Sequence, residues 1–279
     1  MKHLGYYNGA FGEIETMTVP MNDRVCYFGD GVYDASYSRN YKIFALDEHI
    51  DRLYNSAALL RIDIHETKEE MRDILTEMVQ KMDTGENFVY WQVTRGTAMR
   101  NHVFPKAGRA NLWIVIYPKK IVDTYKKIRL MTKPDTRFFH CNIKTLNLIP
   151  AVMASEEALE AGCDETVLHR GGRVTECAHS NVHMLKDGVF RTAPTDNLIL
   201  PGIARAHLIG ACRRLGIPVD ETPFTVEEMM AADEVIVTSS GSLCLAAEEI
   251  DGIAVGGKAP EMLKQLQDAV VEEFMAATE

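Results

Sequence analysis

The side chains of this sequence that could carry covalent chemistry stand far apart. Lys144 lies in Cys141-Asn142-Ile143-Lys144-Thr145-Leu146-Asn147, with Ile143, Leu146, Leu148 and Ile149 around it. An amine among apolar neighbours loses hydration, which lowers its pKa and makes it a usable nucleophile or base. Such a lysine can form a Schiff base with a carbonyl compound. The same surroundings also suit an inert lysine whose stem lies along apolar surface while its ammonium stays in water. Glu176 sits inside the strand-like run Arg173-Val174-Thr175-Glu176-Cys177-Ala178-His179-Ser180-Asn181-Val182. A carboxylate there needs a partner. A cross-strand arginine, a backbone amide or a protonated ring nitrogen would each serve.

Three further segments have anion-binding character. In Leu200-Pro201-Gly202-Ile203-Ala204-Arg205 a glycine turn opens a helix, whose first N–H groups and positive dipole end attract anions. Thr238-Ser239-Ser240-Gly241-Ser242 is a hydroxyl-rich loop directly after an apolar strand. In Thr94-Arg95-Gly96-Thr97-Ala98-Met99-Arg100-Asn101-His102, the pair Arg100 and His102 is spaced to converge on one carboxylate, although a solvated loop reads the same way. No G-x-G-x-x-G follows a strand, and neither a Walker-type loop nor a G-x-S-x-G elbow is present. The glycines of Phe28-Gly29-Asp30-Gly31-Val32-Tyr33 suit a tight turn before a strand.

The elements that must position these residues follow from periodicity and capping signals. Leu4–Tyr7 and Ala10–Ile14 flank Asn8-Gly9, the signature of a type I′ hairpin. Asp47 suits the N-cap of a helix carrying Ile50, Leu53, Ala57 and Leu60 on one stripe. Thr67 with Glu70, and Thr225 with Glu228, have capping-box spacing. Strands are expected at 88–94, 112–117, 128–132 and 234–238, the second as an apolar run buried on both faces. A helix is expected from Thr145 to Ala161. Glu165–His169, Arg173–Leu185 and Val189–Thr192, joined by glycine turns, read as an antiparallel meander. A helix follows Gly202, and another spans Pro260–Met275. Pro118-Lys119-Lys120 and the polar stretch after it mark a domain boundary, giving domains 1–119 and 120–279. The pattern is α+β in two parts, without regular βαβ units.

Composition narrows the class of protein. The net charge is −10, with 46% apolar and 25% charged residues. An acidic chain without a basic block is a poor partner for nucleic acid or an anionic membrane. No run approaches the roughly 20 apolar residues of a membrane helix, and the N-terminus has no apolar signal-peptide core. The six cysteines form no C-x-x-C pair, so reduced thiols and a cytoplasmic location are expected, with no metal site.

Taken together, Phe28–Tyr33, His49-Ile50-Asp51-Arg52-Leu53, Gln92–His102, Ile143–Asn147 and Val237–Ser240 resemble the fold-type IV pyridoxal-phosphate enzymes. Within them the chain is most similar to the D-amino acid (D-alanine) aminotransferases, from about Gly5 to Ile250. The resemblance implies a two-domain α+β fold. The smaller N-terminal part is an α/β sandwich, and the larger C-terminal part is a pseudo-barrel of mostly antiparallel strands with flanking helices. It implies pyridoxal 5′-phosphate as cofactor, held covalently by Lys144, which also moves the substrate's proton. Glu176 would pair with the ring nitrogen. Arg52, Ser239, Ser240 and the amides of Ile203 and Ala204 would hold the phosphate, and Leu200 would pack on the ring. Tyr33, Arg100 and His102 would trap the substrate's α-carboxylate. Arg100 and His102 would reach in from a neighbouring copy, which implies a homodimer with shared sites.

The implied reaction moves an amino group between a D-amino acid and a 2-oxo acid. A branched-chain aminotransferase or an aminodeoxychorismate lyase shares Lys144 and Glu176, but the Arg100-x-His102 pair sets the D-amino acid branch apart. A non-catalytic binding homologue is the third possibility. It is prompted by Ala204 in place of a threonine and Leu243 in place of a polar residue. Asp34 replaces a longer glutamate.

Overall fold

The computed structural model describes residues 1–106 and 108–279. They form two compact units. One comprises Met1–Ile121, Ile143–Asn147 and Met275–Glu279, the other Val122–Asn142 and Leu148–Phe274.

In the first unit, β1 (Leu4–Tyr7) and β2 (Ala10–Glu13) form the expected hairpin. Asn8 and Gly9 have φ of 47° and 97°, positive at both turn positions as a type I′ turn requires. The short helix α1 (Arg24–Phe28) ends at Gly29 and leads into β3 (Gly31–Arg39). There follow β4 (Lys42–Ile43), α2 (Leu46–Leu59), α3 (Lys68–Gln80), β5 (Asn87–Thr94) and β6 (Asn111–Pro118). The strands make an antiparallel sheet in the order β2-β1-β6-β5-β3-β4. One face packs Leu4, Val89, Trp91, Ile114 and Ile116 against Ile50, Leu53, Met71 and Leu75 of α2 and α3. Each such side chain contributes roughly 1.5–3 kcal/mol by leaving water.

Two expectations need correction here. Asp47 is not a cap: α2 starts one residue before it, with Ala45 at the N-cap in the left-handed region, and Asp47 instead accepts from Arg72 Nε at 2.6 Å. In β6, Leu112, Ile114 and Ile116 are buried in the core shared with α2 and α3, whereas Trp113, Val115 and Tyr117, on the opposite face, are only half-buried. The Thr67–Glu70 capping box forms as expected.

The second unit contains β7 (Lys127–Pro134), α4 (Ile149–Glu160), β8 (Glu165–Arg170), β9 (Arg173–Cys177), β10 (Asn181–Lys186) and β11 (Val189–Thr192). After these come α5 (Ile203–Arg214), β12 (Val219–Asp220), α6 (Val226–Met230), β13 (Glu234–Thr238), β14 (Leu245–Ile250), β15 (Ile253–Ala254) and α7 (Pro260–Ala277). The sheet runs β12-β11-β10-β13-β14-β7-β8-β9, with β15 on β14. It is mixed: β11/β12, β14/β7 and β7/β8 are parallel and the other pairs antiparallel.

The meander expected across 165–192 is therefore corrected. The run 173–185 breaks into β9 and β10 at Ala178–Ser180. There the buried Glu165 carboxylate accepts from Ser180 Oγ at 2.7 Å and from His179 Nδ1 at 2.8 Å, which folds the chain over. The helix expected from Thr145 starts only at Ile149. Thr145 instead bridges Val32, and the Leu146 amide donates to Gly31 O, so these residues extend the free edge of β3. Gly31 makes that approach possible, since a Cβ there would lie 2.7 Å from Leu146 Cδ1.

Candidate active site

Lys144 is fixed by its backbone. Its carbonyl accepts from the Tyr33 amide at 3.0 Å, and its amide donates to Ser56 Oγ on α2 at 3.2 Å. The side chain is half-buried, and Nζ lies 4.3 Å from the centroid of the Tyr33 ring. Among the described residues Nζ has no hydrogen-bond or ion-pair partner. A rigid backbone thus holds an amine whose nitrogen is not engaged by a carboxylate.

One face of α2 carries His49, Arg52 and Ser56, spaced to align over two turns. Arg52 is buried and donates through Nε to Asp34 Oδ2 at 2.9 Å and through a terminal nitrogen to Oδ1 at 2.7 Å. His49 meets the same Oδ1 at 2.7 Å. Burial pushes the Asp34 carboxyl up, but Arg52 and then His49 overcome it and hold the acid far below the usual range. His49 is shifted down, by burial above all, so its neutral ring donates from Nδ1. Asp34 thereby fixes the plane of the Arg52 guanidinium. It neighbours Tyr33 on β3, whose ring stacks on Tyr90 at 5.4 Å.

Arg100 and His102 lie on an exposed loop and share one aromatic support. The Arg100 guanidinium is 5.2 Å from the Phe28 ring centroid, and the His102 ring is 5.1 Å from it. No hydrogen bond or ring contact among the described residues joins either to Tyr33 or Lys144. The fold brings Lys144 to Tyr33 but does not bring Arg100 and His102 to them.

In the second unit Glu176 is buried on β9 and held from both sides. Oε1 accepts from Arg137 at 2.5 Å, while Oε2 accepts from Asn181 Nδ2 at 2.9 Å and from the Leu200 amide at 3.0 Å. Arg137 is itself oriented by Asp135, which accepts from its Nε and from a terminal nitrogen, each at 3.0 Å. Asp135 also accepts from Arg170 at 3.1 Å. Burial raises the Asp135 carboxyl, but Arg137 outweighs it and the net shift is downward.

Asn181 ties this carboxylate to the start of α5. Its Nδ2 also donates to Leu200 O at 3.1 Å, and a Cβ on Gly202 would lie 2.1 Å from its Oδ1. Gly202 is the N-cap of α5 and has no side chain to cap it. The first intrahelical bond runs from the Ala206 amide to Gly202 O, so the amides of Ile203 and Ala204 lie ahead of the ladder. Asn181 pairs in register with Thr238, so β13 ends beside the same asparagine and leads directly into Ser239 and Ser240. Ser239 Oγ bonds Ser242 Oγ at 2.8 Å, and the Val122 amide donates to Gly241 O at 2.7 Å, which steadies the loop.

Each unit by itself carries groups that suit a phosphorylated aldehyde with a basic ring nitrogen: the first an amine, Lys144, without a hydrogen-bond or ion-pair partner among the described residues, the second a buried carboxylate and helix-start amides near serine hydroxyls. Sequence reasoning missed Arg137, Asp34, His49, Ser56 and Asn181 as members of these clusters. Their types are common, and Arg137, Asp34 and Ser56 hold Glu176, Arg52 and Lys144 across 39, 18 and 88 positions, which no local pattern shows. Asn181 stands only five positions after Glu176, and His49 three before Arg52, so these two were within reach of local sequence.

Comparison with known proteins agrees with the architecture. The family model of class IV aminotransferases matches residues 31–250. The chain is 40% identical over 276 residues to the D-alanine aminotransferase of Listeria monocytogenes, covering 97% of this chain and 96% of that one. It is 36% identical over 275 residues to that of Bacillus licheniformis, covering 98% and 97%. The solved Escherichia coli branched-chain amino acid aminotransferase superposes with a TM-score of 0.90 at 23% identity, over 100% of this chain and 96% of that one. The branched-chain aminotransferase of the archaeon Thermoproteus uzoniensis gives 0.89 at 23%, over 99% and 96%. With a family match over most of its length and near-full-length relatives, this chain belongs to the class IV aminotransferases.

Proposed function

We propose that the chain is a pyridoxal-phosphate-dependent aminotransferase that exchanges an amino group between a D-amino acid, such as D-alanine, and a 2-oxo acid, such as 2-oxoglutarate. The observation that carries the reading is Lys144, an amine fixed through both its backbone groups and left without a hydrogen-bond or ion-pair partner among the described residues. The D-alanine aminotransferases at 36–40% identity over nearly the whole chain support the choice of substrate. The solved branched-chain enzymes, at 23% identity, support the fold.

When bound, the cofactor supplies a carbonyl carbon for the amino group and a ring that takes up the electron pair left at the substrate's Cα. The chain's residues do the rest. Lys144 Nζ is the covalent anchor and takes the proton from Cα. Glu176 holds a proton on the ring nitrogen, with Arg137 and Asn181 keeping its carboxylate in place. Arg52, Ser239, Ser240 and the amides of Ile203 and Ala204 bind the phosphate. Leu200 packs on the ring. Tyr33, with Arg100 and His102 of a second copy, holds the α-carboxylate. A carboxylate held on one side leaves a single enantiomer with its Cα–H towards Lys144.

The second copy makes the enzyme a homodimer. The exposure of Met99 and Val103, 79% and 71%, around Arg100 and His102 supports a partner at that loop. Six free cysteines support a reducing, cytoplasmic setting. No helix among the described residues is long and apolar enough to cross a membrane.

The test is the visible spectrum of the purified protein with added pyridoxal phosphate, followed by D-alanine or L-alanine in separate cells. A yellow band bleached by D-alanine alone is expected. A band bleached by L-alanine alone, or no band, overturns the reading.

A further inference from the structure

The phosphate-binding role given above to the start of α5 and the Ser239–Ser240 loop leaves a neighbouring group unused. His183 is fully buried inside the second unit's sheet, on β10 between β11 and β13. Both ring nitrogens are bonded to threonine hydroxyls: Nδ1 to Thr192 Oγ1 and Nε2 to Thr238 Oγ1, each at 2.8 Å. Thr192 also accepts from Arg205 Nε at 3.2 Å. Arg205 belongs to the first turn of α5, directly after Ile203 and Ala204, and its other bonds run to Ala193 O at 3.0 Å and Glu221 at 2.7 Å. Thr238 is the last residue of β13, directly before Ser239 and Ser240.

A continuous chain of bonds therefore runs from the first turn of α5 through Thr192 and His183 to the end of β13. It spans the two backbone segments that hold the phosphate donors. Asn181 touches the same two segments, beside Gly202 and paired with Thr238. We propose that His183 is a positioning residue of the phosphate cradle, bracing the α5 amides against the Ser239–Ser240 loop so that both donor groups meet one phosphate without rearranging. Donors fixed in advance spend no binding energy on ordering.

The ring suits this task. Burial, reinforced by the Arg205 guanidinium, pushes its pKa well below the ordinary histidine value. The ring is therefore neutral at working pH, one nitrogen donating and the other accepting. A charged ring at this place would repel Arg205.

The inference rests on the proposed cofactor site, and the experiment separates the two. Dissociation constants for pyridoxal 5′-phosphate and for pyridoxal, which lacks the phosphate, are measured by absorbance on the full chain. The wild-type ratio of the two constants tests the cradle itself, and a ratio near one removes the reading on which the inference rests. With a large wild-type ratio, His183→Ala and Thr238→Val should each reduce it about tenfold, as expected for one or two lost hydrogen bonds, while pyridoxal affinity stays put. His183→Gln, which can still reach Thr238, should recover part of the loss. Thr238→Val keeps the side-chain shape and decides the matter if His183→Ala does not fold. An unchanged ratio, or equal loss for both compounds, overturns the proposal.

Discussion

Arg137 brings one terminal nitrogen to 2.5 Å from Glu176 Oε1, while its Nε and other terminal nitrogen are held by Asp135. The guanidinium is a bridge between two carboxylates on different segments, β9 and the stretch after β7. The side chains of Arg137, Glu176 and Asp135 are 12%, 6% and 0% exposed, so solvent screens this bridge weakly. Removing one partner of such a pair strands buried charge.

Arg137→Met should therefore destabilise the protein by about 3–5 kcal/mol. Urea unfolding measures this. Arg137→Lys should recover the charge but not the fork, and fall between the two. If Glu176 is held for the cofactor's ring nitrogen, both variants should also lower transamination more than a surface Arg→Met control.

Gly202→Ala adds a methyl group at 2.1 Å from Asn181 Oδ1. The Asn181 amide must move, and its bonds to Glu176 and Leu200 go with it. A loss of about 2 kcal/mol in stability is expected, together with weaker pyridoxal phosphate binding. Serine at this position, normally a favourable N-cap, should be no better, because the clash precedes any capping bond.

Asp34→Asn tests the first unit's buried cluster and has a pH signature. The folded acid sits far below its unfolded pKa of about 3.9, so its contribution is complete above that value and drains away as pH falls further. The variant should be less stable than wild type by about 3 kcal/mol at pH 7. The gap should narrow below about pH 4, where wild type begins to lose what the variant never had. Urea midpoints between pH 7 and pH 3 check the trend. A constant gap would show that the charge on Asp34 is not what stabilises Arg52.

Arg100→Ala should raise the KM for D-alanine about 10- to 100-fold, as expected for losing a charge-assisted bond to a carboxylate. Mixing inactive Lys144→Ala with Arg100→Ala tests whether sites are shared. Random re-pairing of subunits should restore about a quarter of wild-type sites, because one site of each mixed dimer carries neither change. No recovery on mixing would place Arg100 in its own copy's site.

Local features were legible from local sequence. Asn8-Gly9, the capping boxes at Thr67 and Thr225 and the strand 234–238 appear as read, because each depends on residues within a few positions of one another. Helix starts were less secure: Thr145–Leu148 reads as the first turn of the helix that follows, yet Thr145 and Leu146 pair with β3 instead. Asp47 would suit an N-cap, but α2 begins before it.

What sequence alone determined about this protein is its class, its acidic composition, and an amine at Lys144 with a carboxylate at Glu176 in apolar surroundings. The tertiary structure decided which partners those groups receive. Arg52 meets Asp34 across 18 positions, Glu176 meets Arg137 across 39, and His183 meets Thr238 across 55. The strength of a buried charge or hydrogen bond depends on the few ångströms around it, and only chain folding sets what stands there.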